Sequence, residues 1–386
     1  MYKKTGKKAV VLVDEYDKPL LDLLGEEGEK TNRDILRGFY GTFKSADAFL
    51  RFVLLTGVTK FAQVTVFSGL NQPKDISINP HYDAICGITE EELYRDFAKS
   101  IDAMAEEMMC TAKEVKDQLK KLYDGYHFSR KMLDIYNPFS IMNAFDNMYL
   151  DNYWYQSGTP TYLAKLLDGH KVNMKDMLAT SYKAEYFMDY RADSEDPLAM
   201  FYQSGYLTIK GFNPRYKVYD LDFPNDEVRS GFAMLLANGY FRWEAKHTEN
   251  WVMGLDTMLQ NGDLSGIRDA FTSFLSGIPY EANKDERTRD FESHFQYTLY
   301  IIFKLLSCYT VLIEKQNSMG RADIIVECDH DIYIFEFKLD HSAKEALEQI
   351  EKQQYALPYL ADQRKLHKIG VNISSKTRTV DEWICI

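Results

Sequence analysis

The sequence predicts a mixed α+β chain of more than one domain, and three observations predict it. An apolar run, Ala9-Val10-Val11-Leu12-Val13, ends in the acids Asp14 and Glu15, the pattern of a buried parallel strand with carboxylates at its C-terminal edge. The middle of the chain carries helical periodicity opened by capping residues. Near the C-terminus, residues 320–326 and 332–338 are two β-rich runs joined by the polar turn Asp329-His330-Asp331, which reads as an antiparallel hairpin.

Composition bounds the classes that remain. The chain has 386 residues, 45% hydrophobic and 27% charged, with 27 Tyr and 23 Phe, enough for two or three cores. No apolar run approaches the roughly 20 residues that span a bilayer, so no membrane partner is expected. Five cysteines stand far apart without a Cys-x-x-Cys pair, which fits a reducing cytoplasm and argues against a zinc site. The eight histidines show no ligand pairing. A net charge of −12 argues against loose binding of nucleic acid over the whole surface. Residues 280–386 hold 14 basic against 18 acidic residues, so a contact there needs a local patch. Arg364, Lys365 and Lys368, with Lys376 and Arg378, are the candidates, and a solvated face is the other reading.

In the first segment, Asp14 and Glu15 sit where P-loop ATPases place the aspartate that holds Mg²⁺ and the glutamate that orients water. Strand 51–56 follows, with Thr56 or Thr59 facing the phosphate. The chain lacks any Gly-x-x-x-x-Gly-Lys-Ser/Thr loop, however, and Thr5-Gly6-Lys7-Lys8 precedes a strand instead of following one. Backbone N–H groups to cradle phosphates are therefore missing. The chain reads as one that starts partway through such a domain, ATP is not an expected cofactor, and Asp14 and Glu15 read as structural acids or relics. The two strands kept would have unsatisfied edges, a liability for solubility that leaves self-association open.

A helix is expected from Thr89 to about Met109, with Thr89 as cap and Glu92 as its reciprocal partner, and a second from Thr111 with Glu114 in the same role. Met104, Met108 and Met109 read as core. Tyr123-Asp124-Gly125-Tyr126-His127-Phe128, Asn137-Pro138-Phe139-Ser140 and Tyr153-Trp154-Tyr155 read as the packing of a small helical or winged-helix-like domain, with base stacking as the alternative. His127 reads as a satisfied turn histidine. Residues 203–209 suggest a helix running into a strand, and Asn225 a cap. The expected division is 1–120, 121–280 and 281–386.

The last part opens with a helix over about 284–307 and a strand at 310–313. The Asp323 and Glu336 strands follow, then a second helix capped at Ser342, with Ala343, Ala346, Leu347, Ile350 and Leu357 buried before Pro358. Strand 368–373 comes last. Alternation puts Glu336 and Lys338 on one face with Ile332 and Ile334, and Tyr333, Phe335 and Phe337 on the other. Asp323 on the neighbouring strand can come opposite Glu336. Three charges on apolar strands need a reason, since an unpaired buried charge is costly; a divalent metal supplies one, and a buried Asp/Glu–Lys network without metal is the other reading.

Asp323, then Glu336-Phe337-Lys338, resembles the signature of the PD-(D/E)XK nuclease superfamily. Gly320-Arg321 before it and Glu348-Gln349-Ile350 with Tyr355-Ala356 after it extend the match. Together with Asp14-Glu15-Tyr16-Asp17-Lys18-Pro19, Arg37-Gly38-Phe39-Tyr40 and Leu55-Thr56-Gly57-Val58-Thr59-Lys60, they resemble bacterial proteins that join an AAA-ATPase-like segment to such a nuclease. The resemblance implies a partial P-loop-type parallel sheet and a restriction-endonuclease-like αβββαβ core. It implies Mg²⁺ or Mn²⁺ held by Asp323, Glu336 and the Phe337 carbonyl, with Lys338 orienting water or stabilising charge on phosphorus. Gln349 would reach phosphate or water. Glu292 on the first core helix fits the position of a further metal-site acid, a solvent-facing glutamate being the other reading. Arg321 either grips phosphate or pairs with Glu336 or Glu314. The function implied is metal-dependent hydrolysis of nucleic acid, DNA first. A silent binding module and an ATP-gated switch in a longer parent are the alternatives.

Overall fold

Strand β1 (Ala9–Val13) and strand β2 (Leu50–Leu55) pair in parallel, joined through helix α1 (Glu29–Ala46). The computed structural model describes residues 2–24, 26–60, 74–156, 177–178, 180–189, 196–241, 245–277, 302, 306, 311–313, 316–317, 320–321, 324–377 and 379–386. The strand expected to be buried on both faces is not. Val10 and Leu12 are 56% and 68% exposed, because among the described residues the sheet has two strands and one face of the pair stays open. The chain divides into two compact units, Met1–Gly231 and Phe232–Ile386.

The rest of the first unit begins with helices α2 (Glu90–Asp96) and α3 (Ala98–Glu107), where one helix was expected. Phe97 breaks it by leaving the helical region, and its ring stacks on Phe145 at 5.5 Å. The capping box opens α2 as predicted: Thr89 Oγ1 accepts from the Glu92 N–H and the Glu92 carboxylate accepts from the Thr89 N–H. Thr111 and Glu114 repeat it for α4 (Ala112–Tyr123), and the Asn137 side chain caps α5 (Pro138–Asn147). These helices share a core of Leu93, Ile101, Met104, Leu119, Tyr123 and Ile141. Met109, expected in that core, is 93% exposed in a left-handed turn. Helix α6 (Leu198–Gln203) runs through Gly205, at φ +84°, into the hairpin of β3 (Thr208–Asn213) and β4 (Val218–Asp222). The Asn225 side-chain oxygen Oδ1 then caps α7 (Asp226–Phe241) by accepting from the Val228 N–H.

The second unit is built on a five-stranded sheet behind helices α8 (Ala245–Gln260) and α9 (Leu264–Gly277). Its strands are β5 (Val311–Ile313), β6 (Ile324–Glu327), β7 (Asp331–Leu339), β8 (Lys365–Ile373) and β9 (Val380–Cys385), in spatial order β9-β8-β7-β6-β5. The hairpin β6–β7 is antiparallel, Ile324 facing Phe335. Strands β7 and β8 are parallel, which requires a crossover, and α10 (Ala343–Lys352) provides it. Tyr333, Phe335 and Phe337 share one face of β7, on which the Tyr333 hydroxyl donates to the Leu259 carbonyl of α8 at 2.6 Å, while Phe271 of α9 lies 6.2 Å from the Phe335 ring and 6.1 Å from Phe337. Ile332 and Ile334 face α10 through Leu347 and Ile350. Strand β9 was not anticipated; its Trp383 packs on Phe271 and Phe335. Helix α10 stops at Lys352, and a left-handed Gln354 turns the chain so that Tyr355 and Tyr359 fill the core. Leu357, expected to be buried, is therefore 56% exposed. The helix expected over 284–307 lies outside the described residues except Ile302 and Leu306, both helical and buried.

Candidate active site

Period-two alternation along β7 turns Glu336 and Lys338 toward α10. Glu336 is 1% exposed, and the Lys338 Nζ lies 3.0 Å from its Oε1. The same ammonium donates to the Gln349 amide oxygen on α10 at 2.7 Å. A carboxylate sealed from water is costly without a cation, and an ammonium with three donors can serve it and a second acceptor at once. Strand β8 completes the floor: Gly370 is in register with Glu336 and Asn372 with Lys338. The Asn372 side-chain oxygen Oδ1, on a residue 3% exposed, accepts from the His341 N–H at the turn into α10. Phe337 points its ring to the opposite face of the sheet.

The structure thus brings together Glu336, Lys338 and Gln349. Asp323 and Glu292 lie outside the described residues, as does the side chain of Arg321. Ile324, next to Asp323 in sequence, pairs with Phe335, next to Glu336. Among the described residues no group of three His, Cys, Asp or Glu side chains could hold a metal ion. Sequence reasoning missed Gly370 and Asn372. A glycine inside a strand was the available signal, because it marks close approach of another backbone.

Of the basic residues expected to touch nucleic acid, Arg364 and Lys365 lie toward the start of β8, while Lys368 is two positions from Gly370. Lys365 is in β-register with Asp331 at the start of β7, five positions from Glu336 and roughly 16 Å away along the strand. Arg364 at that end is engaged by Glu327 at 2.9 Å, Asp362 at 2.8 Å and the Cys328 carbonyl at 3.1 Å. Its guanidinium holds the Asp362 carboxyl down at about 2. Lys368 pairs with Glu351 on α10. Two further contacts bolt this end: His367 Nε2 to Asp331 at 2.7 Å, and the Tyr359 hydroxyl donating to Glu327 at 2.8 Å. Burial beside Asp256 and Asp331 pushes the Cys328 thiol up to about 12, so it is no nucleophile.

At the N-terminal strands, Asp14 accepts from the Thr56 hydroxyl, and Glu15 turns the chain at φ +51°. The buried acid is Asp17, 1% exposed, which accepts from the Thr59 N–H while burial raises its pKa. Gly57 makes room for it: a Cβ there would stand 2.4 Å from Asp17 Oδ1 and 2.8 Å from the Tyr16 ring. Thr59 is 1% exposed, so the expectation that it faces a phosphate is corrected; it belongs to the interior, and Thr56 is turned to Asp14. The Tyr123–Phe128 motif is packing: Tyr123 and Tyr136 are sealed, and His127 is held by the Ile209 carbonyl at 2.7 Å and Asp134 at 2.6 Å.

Residues 290–383 match the model of the PD-(D/E)XK nuclease superfamily, and residues 1–67 match that of a predicted AAA-ATPase. A relative from Azotobacter chroococcum mcd 1, named as an uncharacterized protein in the vnfD 5′ region, is 33% identical over 386 residues. That alignment covers 97% of this chain and 71% of the relative. No solved structure matches.

Proposed function

The chain belongs to the family that joins a predicted AAA-ATPase segment to a PD-(D/E)XK nuclease domain, and from that premise we propose that its C-terminal unit hydrolyses phosphodiester bonds in nucleic acid, DNA first, with the help of a divalent ion. Nucleases of this superfamily generally use divalent metals. The observation that carries the reading is the Glu336–Lys338–Gln349 cluster, a sealed carboxylate and an ammonium fixed side by side.

The donor chemistry fits a hard cation. Glu336 with Asp323 and the Phe337 carbonyl would hold Mg²⁺ or Mn²⁺ through oxygen, as such ions prefer. The ion would polarise the phosphate and lower the pKa of bound water. Lys338 supplies the fixed positive charge: its ammonium, restrained by Glu336 and Gln349, neutralises negative charge that develops on the phosphoryl oxygens, or orients water toward phosphorus. Because Gln349 accepts one of its N–H bonds, the ammonium is held in place before substrate arrives, and no reorganisation is needed at the moment of reaction. Arg321 and Glu292 are proposed as auxiliary groups toward phosphate and metal. Asp14 and Glu15 have no proposed part in ATP chemistry. In this reading residues 281–386 are the nuclease, 121–280 connect, and 1–120 are the ATPase-like part.

The test is an assay with Mg²⁺ or Mn²⁺ on single- and double-stranded DNA and RNA, with EDTA controls. Cutting by the wild type that both Glu336→Ala and Lys338→Ala abolish is expected. Equal cutting by all three proteins overturns the assignment of the site. A folded wild type that cuts nothing favours a binding module.

A further inference from the structure

Strand β8 carries no residue with a role in the reaction as proposed, yet it decides where α10 lies. A Cβ on Gly370 would stand 2.2 Å from the carbonyl oxygen of Ala343, 2.9 Å from Leu347 Cγ and 3.1 Å from the Leu347 N. The nearest of these is backbone in the first turn of α10, which no rotamer change can clear, so the helix would have to back away. Gly370 is also the residue in register with Glu336. Three further contacts fasten the same end of the helix to β8 and β9. The Asp340 N–H donates to the Ile373 carbonyl at 2.9 Å, the His341 N–H to Asn372 at 2.9 Å, and the Ala343 N–H to the Glu382 carboxylate at 2.9 Å. Gln349, six residues further along α10, then meets the Lys338 ammonium at 2.7 Å.

We propose that Gly370 is a positioning residue for the phosphodiester hydrolysis: by lacking a side chain it admits α10 to the sheet at Glu336 and so sets the place where Gln349 holds Lys338. The inference rests on the nuclease reading of this site, but its geometric content has a readout of its own. Lys338 is held by two acceptors, whereas Lys344 on α10 is exposed. Reductive methylation of the full chain, followed by peptide mass spectrometry, gives the reactivity of Lys338 relative to Lys344 without any catalysis.

In Gly370→Ala, retreat of α10 releases one charge-assisted hydrogen bond. Lys338 methylation is expected to rise about tenfold, and kcat on a plasmid or an oligodeoxynucleotide with Mn²⁺ to fall about ten- to hundredfold, KM staying within about threefold. Val371→Ala is the control, since Val371 is sealed, one position along β8, and in register with Phe337 on the other face. It lowers the melting temperature and leaves both readouts near wild type. Should Gly370→Ala not fold, the exposed Glu382 provides the second pair: Glu382→Ala loosens the start of α10 and raises Lys338 methylation about fivefold, while Glu382→Gln keeps the accepting oxygen and does not. Lys338 as protected in a folded Gly370→Ala as in the wild type overturns the proposal, and so does equal exposure by Val371→Ala. A wild type that cuts nothing removes the nuclease reading, and the methylation result still decides whether Gly370 positions Lys338.

Discussion

Replacing Lys338 with Met keeps the length of the side chain and removes the charge that sits 3.0 Å from Glu336. At that distance, with an effective dielectric constant of ~20, the attraction is about 5 kcal/mol, and the cost of desolvating a carboxylate that is 1% exposed offsets most of it. The pair therefore adds little net stability, but losing the cation alone strips the sealed carboxylate of its compensation. We expect Lys338→Met to destabilise the C-terminal unit by about 3 kcal/mol. Glu336→Gln should cost less, about 1 kcal/mol, because the Lys338 side chain is 24% exposed and its ammonium can turn to water. The double variant should recover part of the loss, giving a coupling of about 2 kcal/mol. Urea unfolding of all four proteins in EDTA measures the cycle in the absence of metal. A coupling below about 0.5 kcal/mol would refute the claim that the two charges answer each other.

Three further outcomes follow from contacts already described. Arg364→Ala should destabilise the C-terminal unit by about 1–2 kcal/mol through Glu327, yet leave KM and its salt dependence for nucleic acid within about twofold, as measured by cleavage at several salt concentrations. Burial raises the Glu227 carboxyl from 4.5 to about 7, where it accepts from Ser140 Oγ and the Trp154 N–H. A carboxyl raised in the folded state stabilises fully below its unfolded pKa, so the first unit should lose stability as pH climbs from about 4.5 through 7, and Glu227→Gln should flatten that slope in melts across the range. Gly57→Ala should cost about 1–3 kcal/mol in denaturant unfolding, since its methyl would press on Asp17 and Tyr16.

Much of the C-terminal unit was legible because a period of two admits few errors. Once Tyr333, Phe335 and Phe337 were recognised as one apolar face, Glu336 and Lys338 had to share the other. Capping boxes were equally plain, since Thr89 with Glu92 and Thr111 with Glu114 satisfy orphan N–H groups within four residues. What escaped depended on partners remote in sequence. Phe97 breaks a helix to meet Phe145, and no local pattern announces that contact. Arg364 looked free for phosphate because Glu327 stands 37 positions away, brought near only by the pairing of β6, β7 and β8. Gly370 was passed over because its importance lies in the Ala343 carbonyl above it.

The crossover between β7 and β8 has a consequence for the order in which the site comes into being. Glu336 and Lys338 belong to a tight hairpin, and such units close in about 1–10 μs. Gln349 arrives with α10, which directly follows β7, whereas Gly370 reaches them only when β8 pairs with β7, a non-local step that is intrinsically slower. During synthesis the carboxylate and the ammonium leave the ribosome first, with nothing yet to hold the ammonium still. A chain arrested before residue 370 carries the acidic and basic residues of the hairpin without the frame that aligns them. The aligned Glu336–Lys338–Gln349 cluster is therefore completed late, with the last strands of the sheet.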